Sequence, residues 1–366
     1  MKSLLLASDT NPELNSFLKN MDADSLIDSS ERFPILDQAL KNRAESFLKS
    51  EGVLQYGFVD LRQVPENLLI ADWLSRGLHG EMDWMERTSH LRSNTHGAFP
   101  QYPTALMVCV SYDSKESRSE SEKNKISIYA QGRDYHKVIK KILKGVFLSL
   151  KELEPRLEGR IFVDSGPVSE KYLAAHAGIG WIGKNTNLIS ARHGSFFFLG
   201  TLLLNCTCSY FKRPLDHCGT CTRCIDACPT NAIIKPYLLD AKLCLSYETI
   251  EKKTVTDSNL LKLGDWIFGC DDCQTVCPYN RFSEPTPISD FYPRGYTIDY
   301  FLKMTETEFL KLFEGSALRR PGYEHFMENV IVQAAKNPLQ YKEQLEVLYA
   351  KTTNPRIRKC IEKIGA

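Results

Sequence analysis

The chain has 366 residues, a formal net charge of +1, 43 % hydrophobic residues and 25 % charged residues. This length allows two or three domains, and this composition argues against wholesale disorder. The near-zero charge excludes a globally basic nucleic-acid binder but leaves room for a local basic face. The start has neither a signal-peptide core nor a twin-arginine leader, and no apolar run approaches the ~18 residues of a membrane helix. We therefore expect a cytoplasmic protein without membrane contacts.

The N-terminal half predicts a domain of mixed helices and strands. Residues 1–33 are polar and weakly patterned, which indicates an N-terminal extension. Helical spacing predicts helices at 35–50 and 138–153, and apolar β-rich runs predict strands at 56–59, 105–112, 160–163 and 195–204. The serine-rich, charged residues 117–125 predict a loop. Together these elements predict an α/β domain over 34–205 within a multidomain α+β protein.

The C-terminal part is predicted to be helical. A proline-rich joint at 285–293 precedes predicted helices at 306–313, 323–335, 340–350 and 355–364. The last begins with Asn354-Pro355-Arg356, which is typical of a HEAT-type repeat in which proline starts a helix. A domain over 285–366 would then offer a concave binding edge. A plain helical cap on the preceding domain is the alternative.

Eight cysteines between 218 and 277 are the most informative feature. They are Cys218, Cys221, Cys224, Cys228, Cys244, Cys270, Cys273 and Cys277. The first four form C-x2-C-x2-C-x3-C-P, the bacterial ferredoxin spacing, whose fourth cysteine binds the other cluster. Zinc knuckles are the alternative, although zinc sites seldom use three cysteines at x2 spacing. We predict a ferredoxin-like domain over 206–284 with two 4Fe–4S clusters.

The crossing rule assigns the ligands. One cluster is expected on Cys218, Cys221, Cys224 and Cys277, and the other on Cys228, Cys244, Cys270 and Cys273. The remaining cysteines, Cys109, Cys206, Cys208 and Cys360, are expected to be small buried hydrophobic residues.

A second segment carries candidate chemistry. Asp164 follows a predicted strand and precedes a glycine–proline turn, where ligands often meet a sheet. By itself Asp164 is more often a turn or helix-cap residue than a catalyst. Glycines at 178, 180 and 183 permit close backbone approach to a flat or bulky group.

The motifs together resemble one family. Asp-Ser-Gly-Pro-Val-Ser-Glu from Asp164, Ala-Gly-Ile-Gly-Trp-Ile-Gly-Lys-Asn from Ala177, Gly-Arg-Asp-Tyr-His from Gly132 and the eight cysteines resemble epoxyqueuosine reductase. The likeness covers roughly residues 35–335. It implies reduction of an epoxide on a modified tRNA base to an alkene, the last step of queuosine synthesis.

The resemblance implies a cobalamin, bound base-off, that receives electrons from the two clusters. By family position, Asp164 is the proton donor, and we expect an apolar, cofactor-covered pocket to keep its carboxyl protonated near neutral pH. Asp164 itself, Arg92, Ser127, Leu188 and Leu199 occupy cofactor-lining positions. A surface charge for Arg92 and plain sheet packing for the leucines are the alternatives. His136 is expected to be a buried histidine without a chemical role.

The resemblance also implies partners. The substrate would be a tRNA with a GUN anticodon that carries epoxyqueuosine, and the electron donor a low-potential ferredoxin or flavodoxin. Predicted RNA contacts are Lys262, Gly264, Asp265, Ala317, Arg319, Arg320 and Asn329. Adjacent arginines on a glycine-bracketed loop suit phosphate contacts, and a solvated turn is the alternative. Glu328 replaces an arginine usual in the family. We expect a monomer.

Two other classes share features with this chain. Reductive dehalogenases combine cobalamin with two clusters, but they usually carry an export leader and no helical repeat. A non-catalytic electron-transfer module would leave the α/β domain without a role.

Overall fold

The computed structural model describes residues 33–253 and 265–365. The strands of its first part are β1 (Gln55–Asp60), β2 (Thr104–Ser111), β3 (Gly159–Phe162), β4 (Trp181–Ile182), β5 (Leu188–Ile189) and β6 (Phe197–Leu204). Four of them form a sheet in the order β1-β2-β6-β3, antiparallel throughout, and β4 pairs with β5. The predicted mixture of helices and strands is confirmed, and the antiparallel pairing makes this part α+β in its connectivity.

Helices cover both faces of the sheet. The helices of this part are α1 (Gln38–Ser50), α2 (Leu68–Ser75), α3 (Asp83–Arg87), α4 (Ser89–Ser93), α5 (Thr95–Ala98), α6 (Lys115–Asn124), α7 (Tyr135–Leu153) and α8 (Glu170–His176). Helices α1 and α7 pack on one face, while α8 packs against β1, β2 and β6 from the other. Alternate residues of β2 serve the two cores: Leu106 and Val108 face α7, and Met107 and Cys109 face α8. This period of two is that of a strand buried on both sides.

The prediction of a serine-rich loop at 117–125 is wrong, because helix α6 occupies most of this segment. The Ser117 amide donates to the Ser114 hydroxyl at 2.9 Å, as in a serine N-cap. Glu116 adds a negative charge to the first turn, which favours the helix dipole. Serine-rich composition therefore marked the start of a helix here.

The cysteine-rich part contains short elements. These are α9 (Arg223–Asp226), β7 (Ile233–Lys235), β8 (Leu238–Leu239), α10 (Leu245–Ile250) and α11 (Asp272–Thr275). Helices α9 and α11 pack against each other, and each carries the next-to-last cysteine of its run, Cys224 or Cys273. The two cysteine runs thus adopt the same local structure side by side.

The C-terminal part is helical, as predicted. Its helices are α12 (Ile298–Leu302), α13 (Glu306–Leu312), α14 (Gly322–Ala335), α15 (Pro338–Lys351) and α16 (Pro355–Ile364). Helix α14 is central, with an unbroken run of buried residues from His325 to Ala334, and packs against α10, α12, α13, α15 and α16. Asn354 caps α16 through the amides of Arg356 and Ile357. The HEAT-type relationship and the domain boundaries stay predictions.

The four cysteines outside the eight-thiol pattern, Cys109, Cys206, Cys208 and Cys360, are all buried, which confirms their expected role in packing. Among the helices that the structure describes, none has the length and apolar character needed to cross a membrane.

Candidate active site and cluster-binding region

The eight thiols line two neighbouring cavities. The first thiol cavity, about 250 Å³, is lined by Cys218, Cys221, Cys224 and Cys277. The second thiol cavity, about 370 Å³, is lined by Cys228, Cys244, Cys270 and Cys273, and Asn185 lines both. Among the described residues, no three His, Cys, Asp or Glu side chains converge on one metal ion. Because each predicted quartet lines one cavity, the structure places its four cysteines together. That they bind the clusters in these quartets stays a prediction.

The segment from Trp181 to Asn185 holds the cysteine loops in place. The Trp181 indole Nε1 donates to Cys218 Sγ at 3.4 Å. The Lys184 ammonium, 8 % exposed, donates to the carbonyls of Gly219 at 2.6 Å and Cys221 at 2.9 Å. The Asn185 amide is 3.4 Å from the Cys273 carbonyl. Sequence reasoning named this segment but missed that it contacts both cysteine runs.

The glycines of the same segment serve the chain's own packing. A Cβ on Gly180 would lie 2.0 Å from the Ile189 carbonyl oxygen, so glycine permits the β4–β5 pairing. Gly178 has a φ of +81°, and a Cβ there would lie 2.6 Å from the Tyr210 hydroxyl. The close approach expected from the glycine spacing exists, but its partners are protein atoms.

Aromatic and aliphatic side chains form part of the second thiol cavity, alongside polar residues such as Lys171 and Gln274. Leu188 and Leu199 line it, as do Tyr112, Tyr129, Tyr135, Phe197 and Phe198. Ser127 lines it too, and its hydroxyl donates to Asp271 Oδ1 at 2.5 Å. Three predicted cofactor positions, Ser127, Leu188 and Leu199, therefore line the same cavity as the second quartet of thiols.

Asp164 lies just after β3 in an unusual backbone conformation. Its φ of 54° is left-handed, which aspartate tolerates better than most residues. Its amide donates to Glu170 Oε2 at 2.6 Å, so the first residue of α8 fixes the turn. The side chain is 65 % exposed. A non-glycine residue held in this region often marks a functional site.

The start of α7 brings two side chains to Asp164. Asp134 caps the helix by accepting from the His136 amide at 2.9 Å. Tyr135 then donates its hydroxyl proton to Asp164 Oδ2 at 2.8 Å, while its ring stacks on Phe198 with centroids 4.2 Å apart. Because Tyr135 also lines the second thiol cavity, it joins Asp164 to that cavity.

His136 forms a charged pair with Asp164. Its Nδ1 lies 2.7 Å from Asp134 Oδ1, and its Nε2 lies 3.6 Å from Asp164 Oδ2, an ion-pair distance rather than a hydrogen bond. Loss of hydration lowers the pKa of His136, but the two carboxylates outweigh it and raise that pKa to about 9. His136 therefore lies beside Asp164, and its expected lack of a chemical role stays a prediction.

The protonated state expected for Asp164 beneath a bound cofactor stays a prediction. Loss of hydration raises its pKa, but His136, the Tyr135 hydrogen bond and Arg92 outweigh that effect and lower it below the ordinary value. At neutral pH the proton of this pair therefore lies on the imidazole of His136.

Glu170 is a second carboxyl group of the site that sequence reasoning did not single out. Loss of hydration and the charge of Asp164 raise its pKa to about 7, despite hydrogen bonds from the Asp164 amide and Thr201. Its Oε1 accepts from the Thr201 hydroxyl at 3.1 Å. Its position at the end of the Asp164 motif was the sequence feature that could have identified it as a site residue.

Arg92 is buried, so its alternative role as a surface charge is wrong. Its guanidinium donates to the Val168 carbonyl at 3.2 Å and to the Thr88 hydroxyl at 3.0 Å. Burial lowers its pKa, while the charges of Asp164 and Glu170 act in the opposite direction. Its proximity to these carboxylates is clear, and a cofactor contact stays a prediction.

The predicted RNA loop lies beside the Asp164 site. The Asp134 amide donates to the Gly315 carbonyl at 2.7 Å, which joins the loop to the start of α7. Arg319 and Arg320 are exposed, and Ala317 is half-buried. Arg320 donates to both carboxylate oxygens of Glu251 at 3.0 Å.

The other predicted RNA contacts are less uniform. Asn329 is 1 % exposed and donates to the Thr249 carbonyl at 3.0 Å, so the structure contradicts its role as a direct RNA contact. Glu328 pairs with Arg356 in a two-pronged contact at 2.7 Å. Asp265 is exposed beside Lys336. Lys262 and Gly264 lie outside the described residues.

Two thiol quartets beside an aromatic cavity and an acid–imidazole pair define an iron–sulfur oxidoreductase with a separate reaction site. Residues 217–280 match the 4Fe-4S double cluster binding domain, which supports two iron–sulfur clusters over zinc knuckles. Residues 92–165 match the family model described as epoxyqueuosine reductase QueG, DUF1730.

Relatives extend this match over most of the chain. Epoxyqueuosine reductases of Pseudomonas aeruginosa and Escherichia coli are 40 % and 38 % identical, each over 78 % of this chain and over 82 % and 78 % of their own lengths. The Streptococcus thermophilus epoxyqueuosine reductase structure has a TM-score of 0.75 at 25 % identity and covers 88 % of both chains. The chain belongs to the epoxyqueuosine reductase family of oxidoreductases.

Proposed function

We propose that this protein reduces the epoxide of epoxyqueuosine, at the wobble position of a tRNA with a GUN anticodon, to the alkene of queuosine. The family membership supports the reaction. One solved epoxyqueuosine reductase, 24 % identical, holds an epoxyqueuosine-modified tyrosine tRNA stem loop. The observation that carries the proposal is the Asp164–Tyr135–His136 group, whose Tyr135 lines the second thiol cavity.

The test is conversion of a modified anticodon stem loop by the anaerobic holoprotein under reducing conditions. Nucleoside mass spectrometry should detect queuosine. Persistence of epoxyqueuosine with a fully loaded protein would contradict the proposal.

The second thiol cavity suits one edge of a cobalamin. A cobalamin is larger than this cavity of about 370 Å³, so only part of its macrocycle would pack against the aromatic and aliphatic side chains there. Ser127, Leu188 and Leu199 would hold the cofactor beside the second cysteine quartet. When bound, a reduced cobalamin supplies the two-electron nucleophile that epoxide opening requires, with electrons drawn one at a time from the clusters.

The chain's own groups supply the proton. Cleavage of the epoxide C–O bond leaves an alkoxide, which is a poor leaving group without a proton. Asp164 Oδ2 accepts from Tyr135, and His136 Nε2 carries a proton 3.6 Å away. We infer that His136 passes its proton to Asp164 and that Asp164 delivers it to the substrate oxygen. Two electrons and two protons then convert the epoxide to an alkene and water.

Glutamine at position 136 should slow single-turnover product formation by on the order of 10²-fold, the lower end of general acid–base effects. Glutamine keeps an N–H donor near Asp164 but holds no titratable proton. The wild-type rate should fall as the pH rises through about 9, where His136 loses its proton. The variant should lack that alkaline limb.

The same shift affects stability. The folded-state pKa of His136, about 9, lies above its ordinary value of 6.5. The charged pair therefore stabilises the fold fully below about pH 6.5, and its contribution disappears as the pH rises through about 9.

For the rate of product formation, an unchanged alkaline limb in His136→Gln would show that another group supplies the proton.

The loop from Phe313 to Gly322 suits the RNA backbone. Arg319 and Arg320 present guanidinium groups at the surface, near Asp164 through the Asp134–Gly315 contact. Such groups bind phosphates and orient the RNA without reading its sequence. The substrate base would then enter beside the Asp164 site.

Replacement of Arg319 and Arg320 by glutamine should weaken stem-loop binding most at low salt. Each lost phosphate contact should reduce the slope of log affinity against log salt by about 0.7–0.9. The matched control is Arg156→Gln, because Arg156 also forms a two-pronged surface pair, with Glu154. Fluorescence anisotropy across a salt series gives both slopes; equal slopes for wild type and the double variant would place the RNA elsewhere.

A further inference from the structure

The two thiol cavities have different surroundings. The second shares its walls with Leu188, Leu199 and Tyr135, and so with the proposed reaction site. The first is lined instead by Lys184, His217, Arg223, Arg281 and Phe282 in addition to its thiols. Since electrons must leave beside the reaction site, the first cavity is the one placed to receive them.

The mouth of the first thiol cavity is cationic. Arg223, next in sequence to Cys224, and Arg281, four residues after Cys277, are both exposed. Neither makes an ion pair within the described residues, unlike Arg118 nearby, which is bound to Asp113. No Asp or Glu is among the described residues that line this cavity. The adjoining groove contains one carboxylate, Asp226, which accepts from the Thr222 hydroxyl.

An exposed aromatic group lines the same cavity mouth. Phe282 is 43 % exposed, and the Arg281 guanidinium lies 4.5 Å from its ring centroid. An aromatic side chain within a charged rim is the usual composition of a transient protein interface. The rim charges would set the rate of encounter with an oppositely charged partner.

We propose that the surface formed by Arg223, Arg281 and Phe282 is the docking site of a small acidic redox protein, and that electrons enter through the cysteine quartet beneath it. This rests on the proposed function, which requires a source of electrons. Each docking event oxidises the donor by one electron and reduces the protein by one. Two events supply the two electrons that one epoxide consumes.

The test uses the holoprotein and reduced flavodoxin as the acidic donor. Arg223→Glu and Arg281→Glu should each slow the bimolecular reduction of the clusters, followed by stopped-flow bleaching, by about tenfold or more at low salt. The difference should shrink as salt rises, because surface charges are screened. Arg156→Glu is the control, since Arg156 lies outside both thiol cavities.

Dithionite, a small reductant, should reduce the clusters of wild type and of both variants to the same final extent. This result would show that the clusters are intact in the variants. The affinity of oxidised flavodoxin, measured by surface plasmon resonance, should fall in the same two variants. Wild-type reduction rates in both variants would overturn the docking site, and so would an equal loss in the Arg156→Glu control.

The two proposals can fail separately. Dithionite-driven conversion of the modified stem loop tests the reaction without any protein donor. If conversion occurs but the rate at which flavodoxin reduces the clusters does not depend on Arg223 and Arg281, only the docking site is wrong. If reduction depends on both arginines but no conversion occurs, the proposed reaction is wrong.

Discussion

Asparagine in place of Asp164 is expected to lower the single-turnover rate of epoxide reduction by about 10²–10⁴-fold, the range of general acid catalysis. Asparagine adopts the left-handed backbone that Asp164 has, with its φ of 54°, so the turn after β3 should persist. It still accepts a hydrogen bond from Tyr135 but cannot receive a proton from His136. Rapid-quench sampling of the modified stem loop measures the effect.

The iron and corrinoid contents of Asp164→Asn should equal those of the wild type, because Asp164 lies outside both thiol quartets. Asp72→Asn is the matched control: Asp72 forms a surface pair with Arg76 and should leave the rate unchanged. Wild-type turnover by Asp164→Asn would refute its role as proton donor.

Alanine at Cys277 should remove the same cluster as alanine at Cys218. Each substitution should reduce the iron content from about eight to about four atoms per chain. The electron paramagnetic resonance spectrum of the remaining cluster should be identical in these two variants and different in Cys270→Ala. The reason is the placement of Cys277 with the first cysteine run and of Cys270 in the second cavity.

The double variant of Cys218 and Cys277 tests this pairing even if each single variant is less stable. Two ligands of one cluster should not be additive, so the double variant should still retain about four iron atoms. Cys360→Ala is the control, since Cys360 is buried in the C-terminal core. Loss of both clusters from the double variant but not from either single variant would show that the quartets are assigned wrongly.

Much of the fold was predictable because local patterns dominate it. The strand at 105–112 and the helix at 138–153 were predicted from apolar spacing, and β2 and α7 occupy those positions. The prediction of a loop at 117–125 was wrong because serine is common both in loops and at helix N-caps. Here the Ser114 hydroxyl accepts from the Ser117 amide and caps a helix. The antiparallel pairing of β2 with β6 depends on contacts nearly a hundred residues apart, which periodicity does not encode.

The candidate site divides in the same way. The thiol quartets follow from spacing, because cluster geometry constrains the cysteine intervals. The lowered pKa of Asp164 was not predictable, since it depends on His136 and Tyr135 at the start of a different element. The burial of Asn329 was likewise invisible, because α14 is surrounded by helices that are distant in sequence.

The most direct measurement is the mass of the product nucleoside after one turnover in deuterated water. Reduction to an alkene and water removes one oxygen atom and adds no hydrogen to carbon. The product should therefore lack one oxygen atom relative to epoxyqueuosine and carry no carbon-bound deuterium. A product that keeps the oxygen and gains two hydrogens, as in simple ring opening to an alcohol, would contradict the proposed reaction.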